Sequence, residues 1–243
     1  MTGTEFEQPP DVRPTGRASG DPGSVWLRQD PSRSRPVPLT RERIVDAAVS
    51  LLDRHGIGGL TMRHLARQLD VTPTALYWHV KTKKDVLDLA VDHVFGHVPL
   101  PEGTDDWRDD VRTLAGEWRA VMLRHPWAPG LIGRPMLGPN VLARTEFLQA
   151  ALVRGGLSGL RLTATTRLLA NYVIGTALTE ATWHRTAAAP TQAQARQRVT
   201  ADPAAYPTLN ASGHLDADRW TDDVLFEHGL DTILGGRTHN ERD

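Results

Sequence analysis

Leu60-Thr61-Met62-Arg63-His64-Leu65-Ala66-Arg67-Gln68-Leu69-Asp70-Val71-Thr72-Pro73-Thr74-Ala75-Leu76-Tyr77-Trp78-His79-Val80 is the stretch whose reading decides the fold. Thr61 and Thr72 each follow an apolar residue (Leu60, Val71) and precede a leucine four places on (Leu65, Leu76). Such a threonine opens a helix: its hydroxyl takes an orphan backbone N–H, and the two apolar side chains close over the first turn. The pattern predicts helices over Met62–Leu69 and Pro73–Val80, separated only by Asp70, Val71 and Thr72. That is the spacing of a helix-turn-helix. Pro73 falls at the first helical position, where its missing N–H is harmless. Leu65, Leu69 and the small Ala66 form the inner face of the first helix, and Leu76 with Val80 that of the second.

What remains outside is the informative part. Thr74, Tyr77 and Trp78 face outward or sideways on the second helix, and a surface helix gains little from showing an indole and a phenol to water. A DNA duplex would use them: phosphate oxygens for Tyr77 and His79, thymine methyls for apolar atoms, and groove edges for Thr72 and Thr74. The alternative for Trp78 is packing against the rest of the chain. Lys81 and Lys83, just beyond, suit backbone phosphates, where they release counterions. With Lys84 they are the only lysines in the chain, which otherwise uses arginine. The whole-chain net charge of −1 hides a division. Residues 39–85 hold 8 Lys+Arg against 5 acids, whereas residues 86–243 hold 15 against 19. An architectural DNA-coating protein would spread its basic charge over the whole chain.

Upstream, Leu39-Thr40 with Ile44 repeats the capped start, and Ile44, Ala47, Ala48, Leu51 and Leu52 keep helical spacing until Gly56. Residues 1–38, rich in Pro, Gly, Ser, Arg and Asp, are expected to be a disordered arm. Downstream, Thr82 with Asp85 makes a capping box, and helices are expected at Lys83–His97, Asp105–Arg124, Pro139–Arg154, Gly159–Thr186 and Asp216–Leu234. Prolines and the Gly155–Gly156 pair punctuate them. Residues 190–215 mix a polar helical piece, Gln192–Val199, with Pro203, Pro207 and Gly213, and are expected to be mobile. No alternating strand pattern intervenes, so the chain reads as all-α. The division is a disordered arm (1–38), a helix-turn-helix domain (39–85) and a larger helical domain (86–243).

Gly59-Leu60-Thr61-Met62-Arg63, Leu65-Ala66, and then Leu76-Tyr77-Trp78-His79-Val80-Lys81 with Lys83 closely resemble the DNA-binding domain of the tetracycline-repressor family, over residues 39–97 and without a gap. The resemblance implies that Arg63, Thr72, Pro73, Thr74, Tyr77, Trp78, His79 and Lys83 lie at the DNA, to which the residue reading adds Thr61 and Lys81. Arg134-Pro135 and Phe226-Glu227-His228-Gly229-Leu230 are similar to the effector domain of the tetracycline repressors themselves. What this implies is a homodimer, joined through C-terminal helices, that binds a palindromic double-stranded operator and is released by a small molecule. An activator would use the same reader. The family's metal-coordinating histidines would fall at Gly130 and Pro99 here, with His97 two residues from the second. The effector is therefore expected to be apolar or aromatic and free of magnesium.

Independent features agree with a dimer and a pocket. Asp216–Leu234 carries Trp220, Val224, Leu225, Phe226, Leu230, Ile233 and Leu234, a girth wider than one buried face requires. Gly175, Thr176 and Ala177 would let another helix approach the middle of Gly159–Thr186. Trp118, Met122, Trp127, Phe147 and Tyr172 are the candidate pocket lining, drawn from a wider set that also includes Trp107, Trp183 and Met136.

An enzyme finds little support: there is no His-Glu-x-x-His, no Gly-x-Ser-x-Gly and no phosphate-cradling glycine loop. His93 and His97, one turn apart, are the nearest approach to a helical metal enzyme, but no neighbouring carboxylate in the sequence completes them. No cofactor or metal is therefore expected. Without cysteines, signal sequence or membrane span, the cytoplasm is the expected compartment.

Overall fold

The computed structural model describes residues 38–132, 137–186 and 189–235, with side chains left aside at 184–190 and 192. The expected arm and the Arg134–Met136 stretch lie outside these. Every regular element among the described residues is a helix: α1 (Arg41–Gly59), α2 (Met62–Gln68), α3 (Pro73–Tyr77), α4 (Lys83–Gly96), α5 (Trp107–Arg124), α6 (Pro139–Arg154), α7 (Gly159–Thr186), α8 (Ala189–Ala201), α9 (Pro207–Ser212) and α10 (Asp222–Ile233). A short 3-10 turn, Pro129–Leu131, follows α5.

The threonine caps fix the first four helices. Thr40, Thr61, Thr72 and Thr82 each accept a backbone N–H three residues on, from Arg43, His64, Ala75 and Asp85, at 3.1–3.3 Å. Asp85 returns the bond, accepting from the Thr82 and Lys81 amides at 2.9 and 3.1 Å. Gly56, at φ +63°, breaks α1 where the sequence places its end, and a further turn runs on to Gly59.

α1 packs against α4, and α2 against α1 and α3, so that Ile44, Ala48, Leu51, Leu65 and Leu76 share one buried cluster with Val86, Ala90 and Val94. α4 then turns its other side to α6 and α5, which pack with α7, and α10 lies on α7. α4 is thus the element common to both halves. Its apolar residues Val86, Leu87, Ala90, Val91, Val94 and Phe95 run round more than one face because it is covered on two.

Beyond shifts of one or two residues at helix ends, two boundaries differ from the sequence pattern. Helix α3 closes at Tyr77, because the Trp78 and His79 amides turn to the carbonyls three residues back, Ala75 and Leu76. α10 begins at Asp222, because Thr221 caps it, while Trp220 is drawn away to donate its indole N–H to the Ser212 carbonyl at 2.9 Å. Residues 190–215 carry most of α8 and all of α9, packed on each other.

Candidate nucleic-acid interface and effector domain

The turn between α2 and α3 sets the reader. Asp70 takes φ +53°, the one non-glycine residue with positive φ among the described residues, and the Val71 amide reaches back to the Ala66 carbonyl at 3.0 Å. Leu76 and Val80 are buried beneath α3. Thr61, Arg63, Thr72, Pro73, Thr74, Tyr77, Trp78, His79 and Lys81 are all exposed, on α2, α3 and the residues that flank them. Lys83 differs: it is half-buried, and its Nζ donates to the Ile57 carbonyl at 2.8 Å, tying α4 to the end of α1. Trp78, 78% exposed, stands on the side of the reader that faces the beginning of α6, in a groove shared with Leu137 and Val141.

The candidate effector residues occupy three neighbourhoods. Trp118 and Met122 are buried on α5, with the Phe95 ring edge-on to Trp118 at 5.4 Å. The Trp118 indole N–H is buried with no acceptor among the described residues, an arrangement that burial ordinarily penalises. Phe147 packs partly buried on α6 against the same cluster. Tyr172 stacks on Phe226 at 5.7 Å, and its hydroxyl donates to the Leu225 and Phe226 carbonyls. Burial raises its pKa. Trp127, also buried, donates its indole N–H to Asp53 of α1 at 2.6 Å, so it joins the two halves of the chain.

Sequence reasoning missed this junction, because every contact in it spans many residues. Asp53 also meets His125 Nδ1 at 2.8 Å, and Asp46, one face along α1, meets His93 Nε2 at 3.3 Å. A carboxylate therefore does come to the His93–His97 pair, from another helix. Even so, no group of three or more such side chains among the described residues could hold a metal ion. His97 lies edge-on to His93 at 5.0 Å and 6.5 Å from His125. Its pKa is lowered, by burial first and then by His93, His125 and Arg124 around it. Gly130 and Pro99 carry no ligating group, as their residue types dictate.

Two more residues bind α4 to α6. Asp92 of α4 accepts the Asn140 and Val141 amides at 3.0 and 3.1 Å, capping α6 where Gly138 has no side chain to do so. Arg144 of α6 donates to the Gly96 carbonyl at 2.9 Å and to that of Val98 at 3.0 Å, closing the other end of α4. Deeper in the effector half, Arg119 joins Glu180 of α7 and Asp223 of α10, and lies over the Phe226 ring at 4.8 Å. Burial works against its charge, but the bonds to Asp223 and Glu180 outweigh it and raise its pKa.

Comparison with known proteins finds two family models along the chain. The family model described as bacterial regulatory proteins, tetR family, matches residues 44–90, and the one described as tetracyclin repressor-like, C-terminal domain, matches residues 98–239. An HTH-type transcriptional regulator of Saccharopolyspora erythraea is 44% identical over 225 residues, 91% of this chain and 94% of that protein. An HTH-type transcriptional repressor of Streptomyces coeruleorubidus is 34% identical over 150 residues, 60% of this chain and 56% of that protein. Among solved structures, the ActR protein of Streptomyces coelicolor in complex with actinorhodin aligns with a TM-score of 0.74 at 30% identity, over 82% of this chain and 95% of that one.

Proposed function

The chain belongs to the tetracycline-repressor family of bacterial regulators, and from that premise we propose that it represses transcription as a homodimer released from its operator by an apolar or aromatic small molecule. It is a DNA-binding transcriptional regulator with a ligand-binding domain, and not an enzyme. The observation that carries the proposal is the reader: nine candidate contact residues, from Thr61 to Lys81, are exposed around a buried Leu65–Leu76–Val80 core. Thr72, Thr74 and Tyr77 read and anchor, and Lys81 neutralises phosphate. Lys83 serves the same end indirectly, by holding α4 to α1.

Repression by this route needs a ligand with different affinities for the two states of α4. Trp118 supports an effector that combines an aromatic body with a hydrogen-bond acceptor, since its buried indole N–H lacks one. The relative solved with actinorhodin supports the same class, and Gly130 and Pro99 argue against a magnesium chelate. A coupling of about 2.7 kcal/mol gives roughly 100-fold release.

Footprinting on DNA upstream of the gene tests this. A protected pseudo-palindrome with half-site centres about 34–36 Å apart, or a multiple, is expected. Thr74→Ala is expected to lower selectivity, and Lys81→Ala to weaken all sequences and flatten the salt slope by about 1. A single half-site held by a monomer, or magnesium-dependent release by tetracycline, would overturn the proposal.

A further inference from the structure

A cavity lies at the seam between the reader and the start of α6, and Trp118, Met122, Trp127, Phe147 and Tyr172 are not among the residues that line it. It measures about 800 Å3. One wall is the Trp78–Lys81 turn with Arg41, the base is the outer face of α4 from Lys84 to Asp92, and the far wall is Leu131 with Leu137–Val141. Val80, Val91, Leu131 and Val141 make a buried apolar floor, whereas Trp78 and Leu137 stand at the rim 78% and 75% exposed. Two large apolar side chains facing one hollow are an unusual expense of surface for a protein without an occupant there.

The charges around the hollow are uneven. Its three carboxylates are already engaged: Asp85 caps α4, Asp92 caps α6, and Asp88 holds Lys84 Nζ at 2.8 Å. Arg41 and Lys81 make no ion pair among the described residues. The lining thus holds three cations and three carboxylates, and the cations without an ion pair among the described residues, Arg41 and Lys81, lie on the side toward the reader, while the interior is apolar.

We propose that this groove is a second small-molecule site, for an amphipathic aromatic anion. The flat apolar body lies between the Trp78 indole and the Leu137–Val141 wall, and its carboxylate or sulfonate faces Lys81 and Arg41. The occupant touches the reader, α4 and α6 together. It also takes up the Lys81 charge that would otherwise meet a phosphate, so it opposes DNA binding by competition for that group as well as by wedging α4. This regulation acts on the DNA-binding half directly and does not depend on the effector site around Trp118.

The probe is anilinonaphthalene sulfonate, an aromatic anion whose fluorescence reports an apolar site, titrated into the full chain without DNA. Saturable binding of one dye per chain is expected. Leu137→Glu and Lys81→Glu, both at exposed positions, should each weaken it by about tenfold or more with unchanged helical circular dichroism, while Trp118→Phe should not. Dye and upstream duplex DNA should each weaken the other's binding by the same factor. Dye binding insensitive to both groove substitutions, or abolished by Trp118→Phe, would overturn the assignment. So would a change in solution mass with Leu137→Glu, which would give the patch to a second copy of the chain.

Discussion

Asp70 holds a left-handed backbone, φ +53°, in the turn that sets the angle between α2 and α3. Aspartate tolerates this region better than most side chains, and a β-branched residue does not. Asp70→Val is expected to lower the unfolding free energy by about 1–2 kcal/mol, whereas Asp70→Gly should change it by less than about 1 kcal/mol. Denaturant melts of the two variants check this, and equal effects would show that the turn stores no such preference. His97 gives a second test at this scale. Its pKa is lowered from 6.5 in the native chain, by burial and then by His93, His125 and Arg124 around it, while the unfolded chain keeps the ordinary value. Between those two values the unfolded state binds more protons, so the contribution to stability is complete above about pH 6.5 and declines as pH falls below it. His97→Gln should therefore lose less thermal stability than the parent chain between about pH 7.5 and 5.5. An identical drop in both would remove His97 from the account.

α4 and α6 are stabilised across their ends by each other. α6 starts at Gly138 without a side-chain cap, and Asp92 of α4 supplies it; α4 ends in carbonyls that Arg144 of α6 receives. Arg144 is buried, so its loss leaves carbonyl groups without a charged donor. Arg144→Met is expected to reduce stability by about 2–3 kcal/mol. Lys84→Met breaks only an exposed pair with Asp88 and should change stability by less than about 1 kcal/mol. Chemical denaturation separates the two, and a neutral Arg144→Met would mean that the clamp is dispensable. The clamp also bears on regulation: α4 leads out of the reader at one end and is fastened to α6 at the other, so a ligand that displaces α6 displaces the reader with it.

At the scale of the whole molecule, two helices among the described residues each leave a regular face open. On α7, Ala164, Leu168, Asn171, Gly175 and Leu178 are exposed at alternating spacings of four and three, and on α10 Thr221, Leu225, His228 and Thr232 do the same. Leu168 and Leu225 are 53% and 50% exposed. Seams of this period meet another helix pair, and small residues between the leucines permit close approach. Gly229 shows the same economy inside the chain: a Cβ there would collide with the Tyr172 hydroxyl, so the Tyr172 ring would have to move for α10 to lie on α7 as it does. The double variant Leu168→Glu, Leu225→Glu is expected to sediment as a monomer with unchanged helicity. Its affinity for the upstream duplex should fall by about 100-fold or more, since two linked readers bind far more tightly than one. A variant that remains dimeric would place the interface elsewhere.

Local chemistry was enough to read the helices of the first half from the sequence. A threonine cap, its staple and a 3.6-residue apolar period act within one or two turns, and the residues exposed on α2 and α3 follow from the same period. The string from Gly59 to Lys83 carried the family for the same reason. The end of α3 and the late start of α10 needed the fold, because i→i+3 bonding and the Trp220–Ser212 bond compete with helical pattern in three dimensions. Tertiary structure alone decided what joins the halves. Asp53 with His125 and Trp127, Asp92 with Asn140, and Arg144 with Gly96 are pairs 48 to 74 residues apart. A polar side chain in the sequence does not reveal which distant backbone group burial will oblige it to satisfy.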